Sequence, residues 1–195
     1  NFGTVGIGHT RWATHGIASE NNAHPHSNGR VAVVHNGIIE NFHDLRENLV
    51  SDGVVFKSDT DTEVVVHLVQ KNLDDGYEPV EAARLACTKL IGAFALAILI
   101  ADVDDILIGA SHGSPLAVGF GDGEMFVGSD ALALAPMTKK IAYLHDGDFL
   151  VLRRDGMVLS DFEGSKVDRV IQETVASGAL IGKNEYRHFM IKEIN

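Results

Sequence analysis

Two short runs near the beginning of the chain carry side chains that suit the binding of a small charged molecule. The first is Gly-His-Thr-Arg-Trp-Ala-Thr-His-Gly at residues 8–16, and the second is His-Asn-Gly-Ile-Ile-Glu-Asn at residues 35–41. Arg11 offers a fork of donors that matches a carboxylate. Asn36 offers an amide donor, and Gly37 offers a backbone N–H without a Cβ in the way. Together they predict a pocket for a small zwitterion, with two donors for a negatively charged oxygen.

Each of these residues also has an ordinary structural interpretation. Arg11 could form a surface ion pair, and Trp12, the only tryptophan, could belong to the core or to an interface. Asn-Gly at residues 36–37 is a common hairpin-turn signal. Asp61 could balance an ammonium group, or it could cap a helix with its neighbours at residues 58–60. The combination of these residues therefore favours a site more than any single one does.

Five histidines occur within the first 35 residues, which raises the alternative of a metal-dependent hydrolase. They are His9, His15, His24, His26 and His35. Their spacing matches neither a zinc-protease helix nor a Cys/His zinc pattern, so we predict no metal and no cofactor. The only cysteine, Cys87, falls on the apolar face of a predicted helix and is expected to be a poor nucleophile.

Composition limits the classes of protein that the chain can belong to. The 195 residues are 45% hydrophobic, which is enough for a substantial core, and we treat residues 1–195 as one domain. The formal net charge of −11 argues against nucleic-acid or membrane partners. A single cysteine fits a reducing compartment, so a cytoplasmic location is expected. The first residues lack the pattern of a signal peptide, and we expect the chain to be a piece of a longer protein.

The first ninety residues alternate between strand and helix patterns. Residues 5–10 and 30–35 predict strands, the second ending in a tight turn at Asn36-Gly37. Three helices are expected next. They start after Asn41, after the capping residues 58–61 and at Pro79.

After Gly92 the chain consists of short apolar runs separated by Gly and Asp, as in an antiparallel sheet with tight turns. Residues 130–134 predict one short helical turn. Strands, then helices, then many strands indicate an α+β protein with helices covering sheet faces.

At this level of detail the sequence resembles a known family, the glutaminase domains of glutamine–fructose-6-phosphate transaminases (isomerizing), or glucosamine-6-phosphate synthases. These domains are class II glutamine amidotransferases. The matching motifs are residues 8–16, Ala-His-Pro-His at 23–26, residues 35–41, Ser-Asp-Thr-Asp-Thr-Glu at 58–63, Gly-Ser-Pro-Leu at 113–116, Ser-Asp-Ala-Leu-Ala-Leu at 129–134 and Tyr-Arg-His-Phe-Met at 186–190. The resemblance implies the N-terminal-nucleophile hydrolase fold, an αββα sandwich of two antiparallel sheets between helical layers, here truncated at the N-terminus.

The resemblance also implies a role for each matching residue in the hydrolysis of glutamine to glutamate and ammonia. Arg11 would hold the α-carboxylate of glutamine and Asp61 its α-ammonium group. Trp12 would belong to a lid, with Thr14 and His15 lining the pocket. The oxyanion hole would be formed by Asn36 and Gly37.

Partners follow from the same resemblance. They are glutamine and a sugar isomerase domain of the same parent chain, which makes glucosamine 6-phosphate from fructose 6-phosphate, and the parent protein is expected to be a homodimer. The family's nucleophile is an N-terminal cysteine whose own α-amine acts as the base. Residue 1 here is Asn, so the 195-residue chain by itself is expected to be inactive. Two alternatives stay open: a non-catalytic amino-acid-binding module, and an amidotransferase domain with a different acceptor.

Overall fold

The computed structural model describes residues 3–11 and 15–174, which contain ten strands, four α-helices and one 3₁₀ turn at Glu20–Asn22. The strands are β1 (His26–Ser27), β2 (Val31–Ile39), β3 (Gly92–Ile100), β4 (Leu107–His112), β5 (Ala117–Phe120), β6 (Met125–Gly128), β7 (Lys140–Tyr143), β8 (Asp148–Arg153), β9 (Gly156–Asp161) and β10 (Gln172–Glu173). The helices are α1 (Phe42–Ser51), α2 (Glu63–Asp74), α3 (Pro79–Cys87) and α4 (Ala131–Leu134).

The strands form two sheets in which every pairing between strands is antiparallel. The larger sheet has six strands in the order β1-β2-β3-β4-β8-β9, and the smaller has four in the order β10-β7-β5-β6. The longest ladder of the larger sheet joins β2 to β3, from Val31 opposite Ile100 to Ile39 opposite Gly92. This ladder carries the second sequence motif and fixes where its side chains point.

Three layers of buried apolar side chains hold the elements together. Helices α1, α2 and α3 cover one face of the six-stranded sheet, where Val33, Leu96 and Ile98 are fully buried. The opposite face packs against the four-stranded sheet, with Leu150 and Val118 buried between them. The short helix α4 covers the outer side of the four-stranded sheet. The order of layers is therefore helix, sheet, sheet, helix, and the predicted α+β sandwich of an N-terminal-nucleophile hydrolase is confirmed.

The helix predictions are confirmed in position, and two of their capping details are wrong. Residues 58–61 do not cap α2, whose N-cap residue is Thr62 and which has no side-chain cap. Pro79 opens α3 at its first turn, and the Asp130 carboxylate caps α4 by accepting a hydrogen bond from the Ala133 N–H (2.9 Å). Asn41 precedes α1 but makes no side-chain cap. Its amide instead donates to the Lys89 carbonyl (2.9 Å) and accepts from the Ile91 N–H (3.0 Å), which ties α1 to the beginning of β3.

Two strand predictions are wrong. Residues 5–10 form no strand, because no neighbouring strand in the described part of the chain pairs with them. The second strand does not stop at a turn after His35, since β2 continues through Asn36 and Gly37 to Ile39. Pairing with β3 along this whole length outweighs the local turn preference of Asn-Gly.

The structure contains no helix long and apolar enough to cross a membrane among the residues that it describes.

Candidate functional site

A cavity of about 300 Å³ lies where the β2 strand, the segment before α2, Arg11 and residues 15–24 meet. Five residues that the sequence analysis singled out line it: Arg11, His15, Asn36, Gly37 and Asp61. Its remaining lining residues are His24, His35, Ile38, Thr60, Thr62 and Ser114. The fold thus brings together lining residues that lie as much as 103 positions apart in the chain, from Arg11 to Ser114.

The β2 strand carries Asn36 and Gly37 along the side of this cavity. Gly37 has φ +128°, and a Cβ built there would lie 2.1 Å from the Ala93 carbonyl oxygen on β3. Only glycine fits this close approach and this φ angle. The Asn36 side chain is exposed, and because neighbouring residues alternate along a strand, it points away from the face that carries His35. One amide donor and one unobstructed backbone N–H are therefore adjacent at the cavity wall.

Asp61 places a buried carboxylate at the cavity, just before α2. Its side chain is 3% exposed, and its Oδ2 accepts a hydrogen bond from the Ile39 N–H (2.9 Å). The nearest ring nitrogens, Nδ1 of His15 and of His35, lie 3.8 and 3.9 Å from its oxygens. In residues 3–11 and 15–174, no Lys or Arg pairs with it. A buried carboxylate without a cation attracts a positive group into the cavity.

Glu63 fixes the segment that carries Asp61. Its carboxylate accepts hydrogen bonds from the N–H of Lys57 (2.8 Å), from the N–H and hydroxyl of Ser58 (2.7 and 2.6 Å) and contacts His67 Nε2 (3.4 Å). Burial by itself raises the pKa of Glu63, but the hydrogen bonds from His67, Ser58 and Lys57 outweigh it and lower the pKa to about 2. The segment is therefore anchored by an ionised carboxylate on the first residue of α2.

Arg11 also lines the cavity, in a backbone conformation with φ +50°. Its backbone N–H donates to His9 Nδ1 (2.8 Å). The guanidinium donates to the carbonyl oxygens of His15 (2.9 Å), Gly16 (3.3 Å) and Ile17 (3.3 Å). Within the described ranges it pairs with no carboxylate, so its charge is left available to an anion in the cavity.

Two further residues predicted for the site, Trp12 and Thr14, lie outside the described residues, as does the motif at 186–190.

The histidines form a row of neighbouring rings beside the cavity. The His24 ring centroid lies 4.5 Å from that of His9 and 5.0 Å from that of His26. Burial, followed by repulsion from His9, His26, His35 and Arg11, lowers the pKa of His24 to about 3. Burial also lowers the pKa of His35, to about 4, against the opposing attraction of Asp61. Both rings are neutral near pH 7.

Three buried ring nitrogens have no hydrogen-bond partner within the described part of the chain: Nδ1 of His15, Nδ1 of His24 and Nε2 of His35. All three residues line the cavity. Buried polar atoms are normally satisfied by protein, water or ligand, so these nitrogens mark positions where a polar molecule can bind. Among the residues described, no group of three or more His, Cys, Asp or Glu side chains is placed to hold a metal ion.

A second, larger cavity of about 590 Å³ lies between the two sheets and shares His35 and Asn36 with the first. Residues 4–9 lie along it, and apolar side chains such as Val34 and Leu152 line its walls. The Asn36 side of the site is therefore open toward the space between the sheets.

Cys87 is remote from both cavities. It is 1% exposed at the end of α3, and burial raises the pKa of its thiol to about 12. The thiolate is absent at neutral pH, so Cys87 has no capacity for nucleophilic attack in the folded protein.

Two residues next to the site were not predicted from the sequence, Asn22 and Glu63. Asn22 is 2% exposed, and its side chain makes three hydrogen bonds, to Ile17 and Asp59. The Asn, Ser, His and Gly content of its stretch predicts only a loop. Glu63 is the last residue of the motif at 58–63, and nothing in the sequence predicts its hydrogen bonds to Lys57 and Ser58. The tertiary contacts alone reveal both.

This arrangement defines a class of protein. The sequence matches the glutamine amidotransferase domain family over residues 9–136, about two thirds of the chain, and the chain belongs to that family. Solved structures agree. The glutamine phosphoribosylpyrophosphate amidotransferase from B. subtilis superposes with a TM-score of 0.65 at 26% identity, covering 79% of this chain and 34% of that one. A glutamine aminotransferase class-II domain protein from Silicibacter pomeroyi, at 20% identity and a TM-score of 0.52, shares the fold.

More similar relatives are full-length aminotransferases. The glutamine–fructose-6-phosphate aminotransferase (isomerizing) of Mesorhizobium japonicum is 58% identical over 193 residues, which is 99% of this chain and 32% of the relative. The protein of the same name from Gluconobacter oxydans is 54% identical over an equal length. The chain thus spans about a third of the length of the curated relatives that it matches.

Proposed function

We propose that this chain binds glutamine in the 300 Å³ cavity and, within the full-length protein that carries it, releases ammonia from the side-chain amide of glutamine. The observation that supports this most strongly is the pair of unbalanced charges at the cavity. In the described part of the chain, Arg11 presents a guanidinium without a carboxylate, and Asp61 presents a buried carboxylate without a Lys or Arg partner. An α-amino acid carries the complementary pair, a carboxylate and an ammonium group.

The cavity volume suits a ligand of this size, since it lies at the lower end of the range for small-molecule sites, about 300–1,000 Å³. With its α-carboxylate at Arg11 and its α-ammonium at Asp61, glutamine extends its amide toward the β2 strand. There we propose that the Asn36 amide and the Gly37 N–H, which both line the cavity, stabilise the oxyanion that forms when the amide carbon is attacked. His15, Thr14 and Trp12 complete the pocket in this proposal, with Trp12 in a lid.

The only cysteine of the sequence does not supply the thiolate nucleophile that this reaction needs. Cys87 is buried and protonated, and it does not line the cavity. We therefore propose that the nucleophile is a cysteine in a part of the full-length protein outside this chain. The 195-residue chain alone binds glutamine but does not convert glutamine and water into glutamate and ammonia.

The acceptor of the ammonia is proposed from the relatives. Those at 54–58% identity are named glutamine–fructose-6-phosphate aminotransferases, so we propose that the full-length protein forms glucosamine 6-phosphate from fructose 6-phosphate on a fused sugar isomerase domain. In this account residues 1–195 are part of the amidotransferase domain, and the full-length protein is a cytoplasmic homodimer. A different acceptor is the competing possibility, and product analysis with fructose 6-phosphate distinguishes the two.

The test compares three proteins: the full-length gene product, its Cys87→Ala variant and the isolated 195-residue chain. Ammonia and glutamate release from glutamine are measured, and glutamine binding is measured by calorimetry. We expect turnover by the first two proteins at equal rates, and binding without turnover by the third. Failure of the full-length protein to release ammonia refutes the proposed function. Loss of turnover in Cys87→Ala with an unchanged fold contradicts the assignment of the nucleophile.

A further inference from the structure

The charged groups on the two sides of the cavity are connected by one buried amide. Asn22 Nδ2 donates to the carbonyl oxygen of Ile17 (3.1 Å), the same oxygen that accepts from Arg11 Nη1 (3.3 Å). The Asn22 amide also contacts the segment of Asp61, two residues away. Its Nδ2 lies 3.4 Å from Asp59 Oδ2, and its Oδ1 accepts from the Asp59 N–H (2.9 Å).

The surroundings of this amide leave it little freedom. Asn22 is 2% exposed, and it is the last residue of the 3₁₀ turn Glu20–Asn22. Residues 15–17, whose carbonyl oxygens accept hydrogen bonds from Arg11, pack directly against the Asn22 amide. A Cβ on Gly16 would lie 2.5 Å from Asn22 Nδ2. Burial and three hydrogen bonds therefore hold this side chain between two segments that otherwise belong to separate parts of the fold.

We propose that Asn22 is a positioning residue that sets the separation between the Arg11 guanidinium and the Asp61 carboxylate, and so sets the affinity for the α-amino-acid end of the substrate. The proposal rests on the proposed function of the cavity. Asn22 does not line the cavity, so it acts on the substrate only through the two segments that it joins. A small displacement of one charged group relative to the other weakens the binding of both ends of a rigid zwitterion.

The positioning role of the Asn22 amide can be tested by replacing its NH2 group with an oxygen. Asn22→Asp keeps the size and the oxygen that accepts from the Asp59 N–H, but it replaces the donor with an oxygen facing the Ile17 carbonyl and the Asp59 carboxylate. In the full-length protein we expect the KM for glutamine to rise about tenfold while kcat changes less than about twofold, because substrate positioning is lost and the reacting groups are kept. A role in folding alone would instead lower the thermal midpoint and the active fraction and leave KM unchanged.

Two further variants make the result decisive. Asn21→Asp makes the same chemical change one residue earlier, at an exposed position in the same turn, and we expect it to leave KM unchanged. The double variant Asn22→Asp/Asp59→Asn restores a donor opposite an acceptor, and we expect it to recover most of the lost affinity.

The outcomes separate this role from the proposed function. A full-length protein that turns over glutamine, with an Asn22→Asp variant of unchanged KM, overturns the positioning role alone. An equal rise in KM for Asn21→Asp, or no recovery in the double variant, also overturns it. If Asn22→Asp does not fold, the double variant decides: a wild-type KM supports the role, and a raised KM overturns it. A full-length protein without any glutamine turnover overturns the proposed function and this role with it.

Discussion

The Asp61 carboxylate is hydrogen-bonded to the backbone N–H of Ile39 at 2.9 Å, three residues beyond Asn36 on the same strand. This bond joins the segment before α2 to the β2 strand. In the proposed function, it fixes the group that binds the α-ammonium relative to the donors that stabilise the oxyanion. Specificity for the length of the substrate would follow from that fixed separation.

Replacing Asp61 tests the electrostatic half of this arrangement. Asp61→Asn keeps an oxygen for the Ile39 N–H and removes the negative charge. We expect the KM for glutamine to rise roughly 10- to 100-fold in the full-length protein, because a buried charge-assisted pair with the ammonium is lost. This KM is measured by steady-state ammonia release at varied glutamine concentration. Asp52→Asn, at an exposed carboxylate paired with Lys71, is the control and is expected to behave as wild type. Equal KM values for Asp61→Asn and wild type would remove Asp61 from the site.

Asn36 is expected to act on the rate of reaction rather than on binding. Asn36→Ala removes one of two proposed oxyanion donors, and kcat is expected to fall by about 10²- to 10³-fold with little change in KM. Asn48→Ala, at an exposed position on α1, is the matched control. A kcat for Asn36→Ala close to that of the wild type would show that Asn36 stabilises no oxyanion.

Gly37 is expected to be essential to the fold of the site. Gly37→Ala combines a φ of +128° with a Cβ 2.1 Å from the Ala93 carbonyl oxygen, whereas Gly53→Ala has a φ of +91° and no atom within 4 Å. The control should cost about 1–2 kcal/mol of unfolding free energy from the backbone conformation alone. Gly37→Ala should cost at least about 3 kcal/mol because the collision is added.

Because the Cys87 thiol is buried in the folded protein, its reaction with a labelling reagent reports the unfolding of this domain. Labelling of the Cys87 peptide during unfolding in urea, followed by mass spectrometry, reports the midpoint for each variant. Equal midpoints for the two glycine variants would contradict the close contact between β2 and β3.

The neutral histidines predict a pH dependence of stability. The pKa of His24 is about 3 and that of His35 about 4 in the folded protein, against about 6.5 when unfolded. Between those values the unfolded chain binds more protons than the folded one. Stability is therefore unaffected by these groups above about pH 7 and falls as the pH decreases below about 6.5, by up to about 1.4 kcal/mol per pH unit for each histidine. Glu63, with a pKa of about 2, adds to the loss only below about pH 4.5.

Urea midpoints at pH 7.5, 6.0 and 5.0 measure this effect. His24→Asn should reduce the loss of stability between pH 7.5 and 5.0, whereas His145→Asn, at an exposed position, should leave it unchanged. A stability that is flat over this range, or that rises on acidification, would contradict the burial of neutral rings.

Much of the fold follows from local sequence signals, and the exceptions have physical causes. Pro79, Asp130 and the apolar runs after Gly92 act locally, so α3, α4 and most of the strands could be predicted. Asn36-Gly37 could not be placed correctly, because its turn preference is overridden by a ladder formed with a strand about sixty residues later.

The candidate site, like the fold, could be predicted from the sequence only in part. Arg11 and Asn36 could be singled out by residue type and motif, whereas Asp61 could be chosen over Asp59 only through the family resemblance. Asn22 could not, because its importance lies in contacts with Ile17 and Asp59 that only the folded chain creates. A side chain that positions others carries no signature of its own in a single sequence.

The most direct test of the account is a crystal structure of the full-length protein with glutamate, the reaction product, bound. The account predicts glutamate in the cavity of β2, its α-carboxylate within hydrogen-bonding distance of the Arg11 guanidinium and its α-ammonium against Asp61. Its γ-carboxylate should face the Asn36 amide and the Gly37 N–H. Glutamate bound elsewhere, or bound in this cavity with its α-groups away from Arg11 and Asp61, would contradict the account.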